Sequence, residues 1–297
     1  MPEPDAATAA FEAQRPRLLR LAYRMTGSVA EAEDVVQDAW LRWQGVERAV
    51  DSPAAFLTRI VTRLCLDRLK SARARRETYV GAWLPEPLVG AGEAEPEDDL
   101  TLTLMMALER LSPLERAAFL LHDVFGVALS DVASTLDRDA AAVRQLAVRA
   151  RRHVRTARPR YAIADAEAER IAQAFFAASR DGNTQALGAM LAQDVVLHSD
   201  GGGRVIAFRN PITGLARVLR LYAGLRRKPG AEPARLLRPM LIDGLPGFAS
   251  LDRGEVLQTT ALAVEDGRIR AIYIMRNPDK LRHVARILAQ ETPGSPH

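Results

Sequence analysis

The chain has 297 residues, 48% of them hydrophobic and 26% charged, which is ordinary for a soluble globular protein and enough for two or three domains with separate cores. A formal charge of +4 is too small to demand a polyanionic partner, and the single cysteine, Cys65, excludes an intrachain disulfide. No run of about eighteen apolar residues occurs, and the start MPEPDAATAAFEAQ is acidic rather than signal-like, so a cytoplasmic protein with no membrane contact is expected.

The charge is distributed in blocks. Residues 59–76 hold seven Arg/Lys against one Asp, and 137–160 hold eight Arg against two Asp. Residues 31–38 and 86–99 hold four and six acidic groups respectively, with no basic one. Two basic blocks thus flank an acidic connector.

In chain order, Leu18, Leu19, Ala22 and Met25 recur at helical spacing within residues 11–25, and Gly27 breaks the run. Ser28 and Glu31 form a capping-box pattern for a helix to about Trp43. Ala32, Val35, Val36, Ala39 and Trp43 share its buried side, while Glu33, Asp34, Gln37, Asp38 and Leu41 lie towards the other. An acidic face with apolar edges suits a basic protein partner better than DNA. Ser52-Pro53 opens a third helix, with Phe56, Leu57, Ile60, Val61, Leu64 and Leu69 as its core stripe. Cys65 sits within that stripe as a small core residue. Arg59, Arg63, Arg68, Lys70, Arg73, Arg75 and Arg76 give the helix a basic flank and tail, a first candidate for nucleic-acid contact.

Residues 77–100 lose helical periodicity and read as a linker. Tyr79, Val80, Trp83, Leu84 and Leu88 are too apolar for a free tether, so the segment is expected to dock on another domain. A helix follows from Leu100 to Leu111. Ser112-Pro113-Leu114-Glu115 then starts another, running to about Phe125 with Gly126 as its stop. Residues 127–155 read as two short helices with a turn at Asp137–Asp139. In the second, capped by Asp139, Val143, Leu146, Ala147, Ala150 and Val154 form the buried stripe. Arg144, Gln145, Arg149, Arg151, Arg152 and Arg155 occupy the opposite side. That is how a helix-turn-helix presents itself to a major groove, and arginine suits both guanine edges and phosphates. The competing reading is a solvated basic face on a structural hairpin.

After Arg160 the texture changes. A helix over 165–180 and a short one over Thr184–Leu191 precede strand-like runs at Val195–His198, Val205–Phe208, Ala234–Ile242, Gly247–Leu251, Val256–Val264 and Arg268–Met275. Asp243-Gly244 and Asp266-Gly267 are hairpin signals. An α+β domain with a curved antiparallel sheet is expected. Its candidate pocket polar groups are His198, Asp200, Arg204, Tyr222 and Tyr273, which fall short of a catalytic dyad. Gly201–Gly203 lack the strand–helix context of a phosphate loop and are read as a turn passing close to the linker. Asn277-Pro278 is expected to cap and start a terminal helix with Leu281 and Ile287 in the core.

These patterns together resemble the extracytoplasmic-function (ECF) sigma factors. AEDVVQDAWLRW resembles the segment that grips core RNA polymerase, and SPAAFLTRIVTRLCLDRLKSARARRE the helix that opens and reads the promoter element nearest the start site. LSPLERAAFLLHDVFGVALSDVASTLDRDAAAVRQLAVRARRHV resembles the helix-turn-helix for the more distant element. Trp83–Pro87 (WLPEP), Asp200–Arg204 (DGGGR) and Asn277–Leu281 (NPDKL) resemble the signature triplet of the subgroup fused to a SnoaL-like domain, usually called SigJ-type. The Ala/Arg-rich DAAAVR start of the recognition helix departs from the pattern, offering few polar side chains for base reading, which leaves the promoter sequence open.

The resemblance implies sigma domain 2 over residues 8–77, a linker with WLPEP over 78–100, sigma domain 4 over 101–160 and a SnoaL-like cone over 165–290. It implies that Asp34, Gln37, Asp38 and Leu41 bind core polymerase. Promoter DNA falls to Arg59, Arg63, Arg68, Arg73, Arg75, Arg76, Arg144, Gln145, Arg149 and Arg152. Trp83, Leu84, Pro85, Asp200, Arg204, Asn277 and Asp279 become interdomain regulatory residues, through which the fused domain controls the sigma module in cis. No cofactor, metal or catalysis by the chain itself is implied, and the cone leaves room for a small-molecule ligand. The alternative is a one-component helix-turn-helix regulator with a ligand-sensing SnoaL-like domain, to which the acidic and strand-opening helices argue against. A second alternative is an enzyme tethered to DNA.

Overall fold

A computed structural model of the chain describes residues 6–46, 50–77, 79–89, 102–154, 164–227, 232–252 and 255–290, with backbone alone for 71–77. It divides into two compact units, residues 1–78 with 105–157, and residues 79–104 with 158–297.

The first unit is helical. Its opening three helices are α1 (Ala6–Thr26), α2 (Val29–Gln44) and α3 (Pro53–Glu77). Gly27 follows α1 at φ +73°, which reverses the chain, and the Ser28 hydroxyl accepts from the Glu31 amide to start α2. The two helices close on Phe11, Leu18, Val35, Val36 and Trp43, with α3 adding Leu57, Val61, Leu64 and Leu69, all buried. Cys65 is fully buried among them, and burial pushes its thiol pKa up, as expected of a core residue.

Further along the chain come α4 (Leu102–Leu108), α5 (Pro113–Phe119), α6 (Leu129–Leu136) and α7 (Ala140–Val154). The Ser112 capping box is complete: its hydroxyl accepts from the Glu115 amide, and the Glu115 carboxylate accepts from the Ser112 amide. After Phe119 the helix widens to a π turn, Leu120–Val124, before Gly126 at φ +66° ends it. Asp137 takes the left-handed conformation between α6 and α7, and Asp139 caps α7 by accepting from Ala142 at 2.7 Å.

A buried guanidinium ties these helices to the first three. Arg116, 2% exposed, donates to the Met25 carbonyl at the end of α1 (2.6 Å) and to the Leu108 carbonyl (3.0 Å), and pairs with Glu109 at 2.8 Å. Its donors satisfy carbonyls that the ends of α1 and α4 would otherwise leave open. Arg17 and Arg24 both stack on Phe125, each within 5.3 Å of its ring centroid.

The second unit is a cone. Helices α8 (Asp165–Asp181), α9 (Thr184–Met190) and α10 (Leu215–Arg226) cover a six-stranded curved sheet. Its strands are β1 (Leu191–Asp200), β2 (Ile212–Thr213), β3 (Arg235–Ile242), β4 (Leu245–Asp252), β5 (Val256–Glu265) and β6 (Arg268–Met275), in the order β2-β1-β6-β5-β4-β3. Both expected hairpins form on two-residue loops, with Asp243-Gly244 and Asp266-Gly267 all at positive φ. The sheet is mixed, not purely antiparallel, because β1 enters from α9 and runs parallel to β6. The expected strand at Val205–Phe208 does not form. That stretch is an irregular loop at the border of the cone's cavity, with Val205, Ala207 and Phe208 half-buried and Ile206 89% exposed, so its hydrophobicity does not come from strand pairing. NPDKL makes a 3₁₀ turn (Pro278–Lys280) before the terminal helix α11 (Arg282–Gln290), with Asn277 capping through its side chain.

Two outcomes are expected in chemical denaturation followed by helical circular dichroism. Arg116→Ala should cost about 3–5 kcal/mol, since it removes the cation paired with Glu109 and leaves the Met25 and Leu108 carbonyls without its donors in a buried contact. Ser112→Ala should cost about 1 kcal/mol at neutral pH. Burial raises the Glu115 pKa, but the hydrogen bonds from Ser112 and Arg149 outweigh it and hold the carboxyl below its ordinary value. Glu115 therefore stabilises the fold above the ordinary glutamate range, and that contribution fades as pH falls through its lowered folded value.

Candidate polymerase and DNA surfaces and the linker clasp

On α2 the buried side faces α1 and α3, which leaves Asp34, Gln37 and Leu41 exposed, Leu41 by 59%. Asp38 is half-buried. Arg68 of α3 reaches across to both carboxylates, bonding Asp38 at 3.0 Å and Asp34 at 3.3 Å. Burial lowers the guanidinium pKa, but the two carboxylates more than offset it, so the net shift is upward. The structure thus joins one residue expected on DNA to two expected on polymerase.

Arg63 is exposed on α3. Arg59 is half-buried and donates to the Ser134 hydroxyl of α6 at 3.3 Å. The side chains of Arg73, Arg75 and Arg76 lie outside the described residues.

On α7 the stripe Val143, Leu146, Ala147, Ala150 and Val154 is buried as the spacing predicts. The opposite ridge presents Arg144, Gln145, Arg149 and Arg152 to solvent. Arg149 also bonds Glu115 at 2.8 Å, and Arg151 bonds Asp123 at 2.6 Å, ties that fix the ridge to α5 and the π turn. Between these polar groups stands Val148, 60% exposed. Sequence reasoning passed over it, although its place four residues after Arg144 puts it on the same ridge.

The most tightly built cluster lies in the second unit, where residues 79–89 lie across one end of the cone. Asp200, at the end of β1, is fully buried. Its Oδ1 accepts from the Tyr79 hydroxyl at 2.6 Å and the Gly202 amide at 2.9 Å. Its Oδ2 accepts from the Leu84 amide at 2.9 Å and Lys280 Nζ at 2.8 Å. Four donors saturate the carboxylate. Lys280 also donates to the Leu84 carbonyl at 2.6 Å, and its ammonium lies 4.1 Å from the Trp83 ring centroid and 4.9 Å from that of Tyr79. Burial raises the Tyr79 pKa, as does the neighbouring Asp200 charge, which keeps the hydroxyl a donor.

Leu84, Pro85 and Pro87 are buried beside this pair, and His283 bonds the Pro87 carbonyl. Asn277 donates to the Tyr79 hydroxyl at 2.9 Å. The glycines serve close approach: a Cβ on Gly202 would lie 2.3 Å from the Asn277 side chain, and one on Gly203 3.2 Å from Val80. Arg204 and Asp279 pair at 3.6 Å but are exposed, so they sit at the edge of the clasp. Sequence reasoning named Tyr79 only as an apolar docking residue, not as a partner of Asp200, and missed Lys280. Both stood in or beside the quoted motifs, but nothing in their spacing tells that a lysine there would be 8% exposed.

Of the pocket groups named from sequence, only Tyr222 lines the cavity of the cone. His198 lies on the other face of β1, stacked on Tyr273 at 5.3 Å between centroids, and Asp200 belongs to the clasp. Residues alternate along a strand, so Ser199 faces inward and its neighbours do not.

Two family models match the chain, Sigma-70 region 2 over residues 10–75 and Sigma-70 region 4 over 101–154. The helical unit is therefore that of a sigma-70-type transcription initiation factor. ECF RNA polymerase sigma factor SigJ of Mycobacterium tuberculosis H37Rv is 39% identical over 287 residues, 91% of each chain. A second protein of that strain, named a probable ECF RNA polymerase sigma factor SigI, is 30% identical over 95% of this chain and 97% of its own. The crystal structure of SigJ superposes with a TM-score of 0.74 at 35% identity, covering 92% of this chain and 97% of that one. The chain belongs to the ECF RNA polymerase sigma factors, with a SnoaL-like C-terminal domain, and directs promoter-specific transcription initiation. Among the described residues no helix is long and apolar enough to cross a membrane.

Asp200→Ala should free the linker: in hydrogen exchange on the full-length protein, the Leu84 amide is expected to exchange at least about tenfold faster, a loss of ~1.4 kcal/mol or more of local protection. Arg204→Ala should leave that amide unchanged, because an exposed pair is worth about 0–1 kcal/mol.

Proposed function

We propose that α2 docks core RNA polymerase through Asp34, Gln37, Asp38 and Leu41, while arginines of α3 and α7 hold promoter DNA. In this reading the polymerase performs the chemistry in the cytoplasm, and the chain supplies recognition and strand opening without catalysing a reaction itself. Residues 8–77 act as sigma domain 2, residues 101–160 as domain 4, and residues 78–100 as the linker to a regulatory domain at 165–290. Arg68 orients the two α2 carboxylates rather than binding DNA, which the paired contacts at 3.0 and 3.3 Å support. An exposed leucine rimmed by carboxylates suits a basic helical partner, where charge sets register and encounter rate. Arg63 and the tail Arg73, Arg75 and Arg76 are assigned to phosphates and the unpaired strand. Arg144, Gln145, Arg149 and Arg152 are assigned to the major groove. Val148 adds an apolar contact of the kind that reads a thymine methyl group.

The SnoaL-like domain regulates this activity in cis, and we read its cone as the place where a small molecule would act on that regulation. The observation that carries the cis reading is the saturated Asp200 carboxylate. It binds Tyr79 and Leu84 of the segment that joins the two sigma regions, so it constrains that segment directly. Regulation requires that the clasped and released linker differ in affinity for polymerase or promoter. The test is in-vitro transcription with purified core polymerase, comparing full-length protein, a truncation after Arg160, and Asp200→Ala. Asp200→Ala should move promoter output several-fold in the same direction as the truncation. Equal output from all three would sink the cis reading, and failure of the full chain to bind core polymerase would remove the docking assignment.

A further inference from the structure

The cone encloses a cavity of about 690 Å³, entirely within the second unit. Its wall is largely apolar, formed by Phe175 and Phe176 of α8, Leu221 and Leu225 of α10, Phe208 of the irregular loop, and Phe248 of β4. The T-shaped pair Phe176–Phe248, 5.3 Å between centroids, holds that wall in shape.

Alternation along the strands puts a polar strip on its sheet face. Ser250 and Asp252 of β4, Gln258 and Thr260 of β5, and Arg276 beyond β6 all line the cavity, with Ser250 directly opposite Gln258. Arg276 and Asp252 bond each other at 2.9 Å and are both largely covered, so their charges compensate within the wall. Ser250 is different. It is 1% exposed, and its hydroxyl has no hydrogen-bond partner among the described residues. Buried hydroxyls are almost always paired, and an orphan that lines a roomy apolar cavity marks where a ligand oxygen fits.

We propose that this cavity is a binding site for an uncharged, largely apolar molecule carrying a hydroxyl or carbonyl oxygen, which pairs with Ser250. This rests on the reading of the cone as a ligand-binding domain and names the ligand class. The apolar wall supplies the affinity and Ser250 the orientation. A charged headgroup is disfavoured at depth because Arg276 and Asp252 compensate each other there. The exposed charges Arg180, Arg220, Arg226 and Glu232 stand at the rim, where solvent screens them.

The test uses full-length protein in equilibrium dialysis at pH 7 with three probes: 2-naphthol, naphthalene and 2-naphthoate. Wild type should bind 2-naphthol about five- to tenfold more tightly than naphthalene, and 2-naphthoate most weakly. Ser250→Ala should bring 2-naphthol down to the naphthalene level while leaving naphthalene unchanged. Ser250→Leu, which fills part of the space, should weaken all three. Binding of none of the probes would overturn the site. Equal binding of 2-naphthol and naphthalene would mean that water satisfies Ser250 and would overturn the oxygen contact. Preference for 2-naphthoate would overturn the uncharged class, and 2-naphthol affinity indifferent to Ser250→Ala would place binding elsewhere. Because binding is read directly, these outcomes are separate from the transcription assay, which alone decides whether the clasp regulates.

Discussion

The second unit is organised by a buried carboxylate that cannot be left without partners. An ionised Asp200 in a water-free position is costly unless its lone pairs are filled by good donors. Here they are filled by a tyrosine hydroxyl, two backbone amides and an ammonium. Two of the four donors belong to the linker, so docking of that segment and neutralisation of the charge are one event. The apolar contributions then add to it: Leu84 is buried, and Trp83 closes over Lys280. Burying a leucine is worth about 1.5–3 kcal/mol, whereas the Asp200–Lys280 pair is a condition of docking more than a source of stability.

The same logic recurs in the helical unit with the sign reversed. Arg116 is a buried cation whose donors reach the carbonyl ends of α1 and α4 and one carboxylate, Glu109. Around it Arg17 and Arg24 stack on Phe125, and Arg59 reaches Ser134. Arginine is suited to this because its planar fork carries several donors and is weakly hydrated. Several arginines of this sigma factor are thus structural, and a count of basic residues overstates the groups open to DNA. Arg144 and Arg152, solvent-facing on α7 without a tie to α5 or the π turn among the described contacts, contrast with Arg149 and Arg151, which are held by acids.

The cone shows how a sheet separates two jobs by parity. Along β1, His198 and Asp200 face away from the cavity and Ser199 faces into it, so one strand serves both clasp and pocket. Whatever occupies the cavity packs against the same strand whose end holds the linker. This gives a short physical path between the two, though coupling requires that occupancy change the affinity of the clasp.

Local chemistry was legible from the chain alone. The caps at Ser28, Ser112 and Asp139, the Asp-Gly hairpins, the buried stripes of α2, α3 and α7, and the docking of an over-apolar linker all follow from nearest neighbours and periodicity. The motif resemblance carried the family, because three patterns in fixed order are specific. Tertiary structure decided what depends on residues far apart in sequence: that Tyr79 and Lys280 complete the Asp200 site from 121 and 80 positions away, that Arg68 serves carboxylates, that β1 runs parallel to β6, and that Val205–Phe208 lines a cavity without pairing. Periodicity tells which face of an element is apolar. It does not tell which distant group comes to meet a buried charge, because that is set by the packing of whole elements.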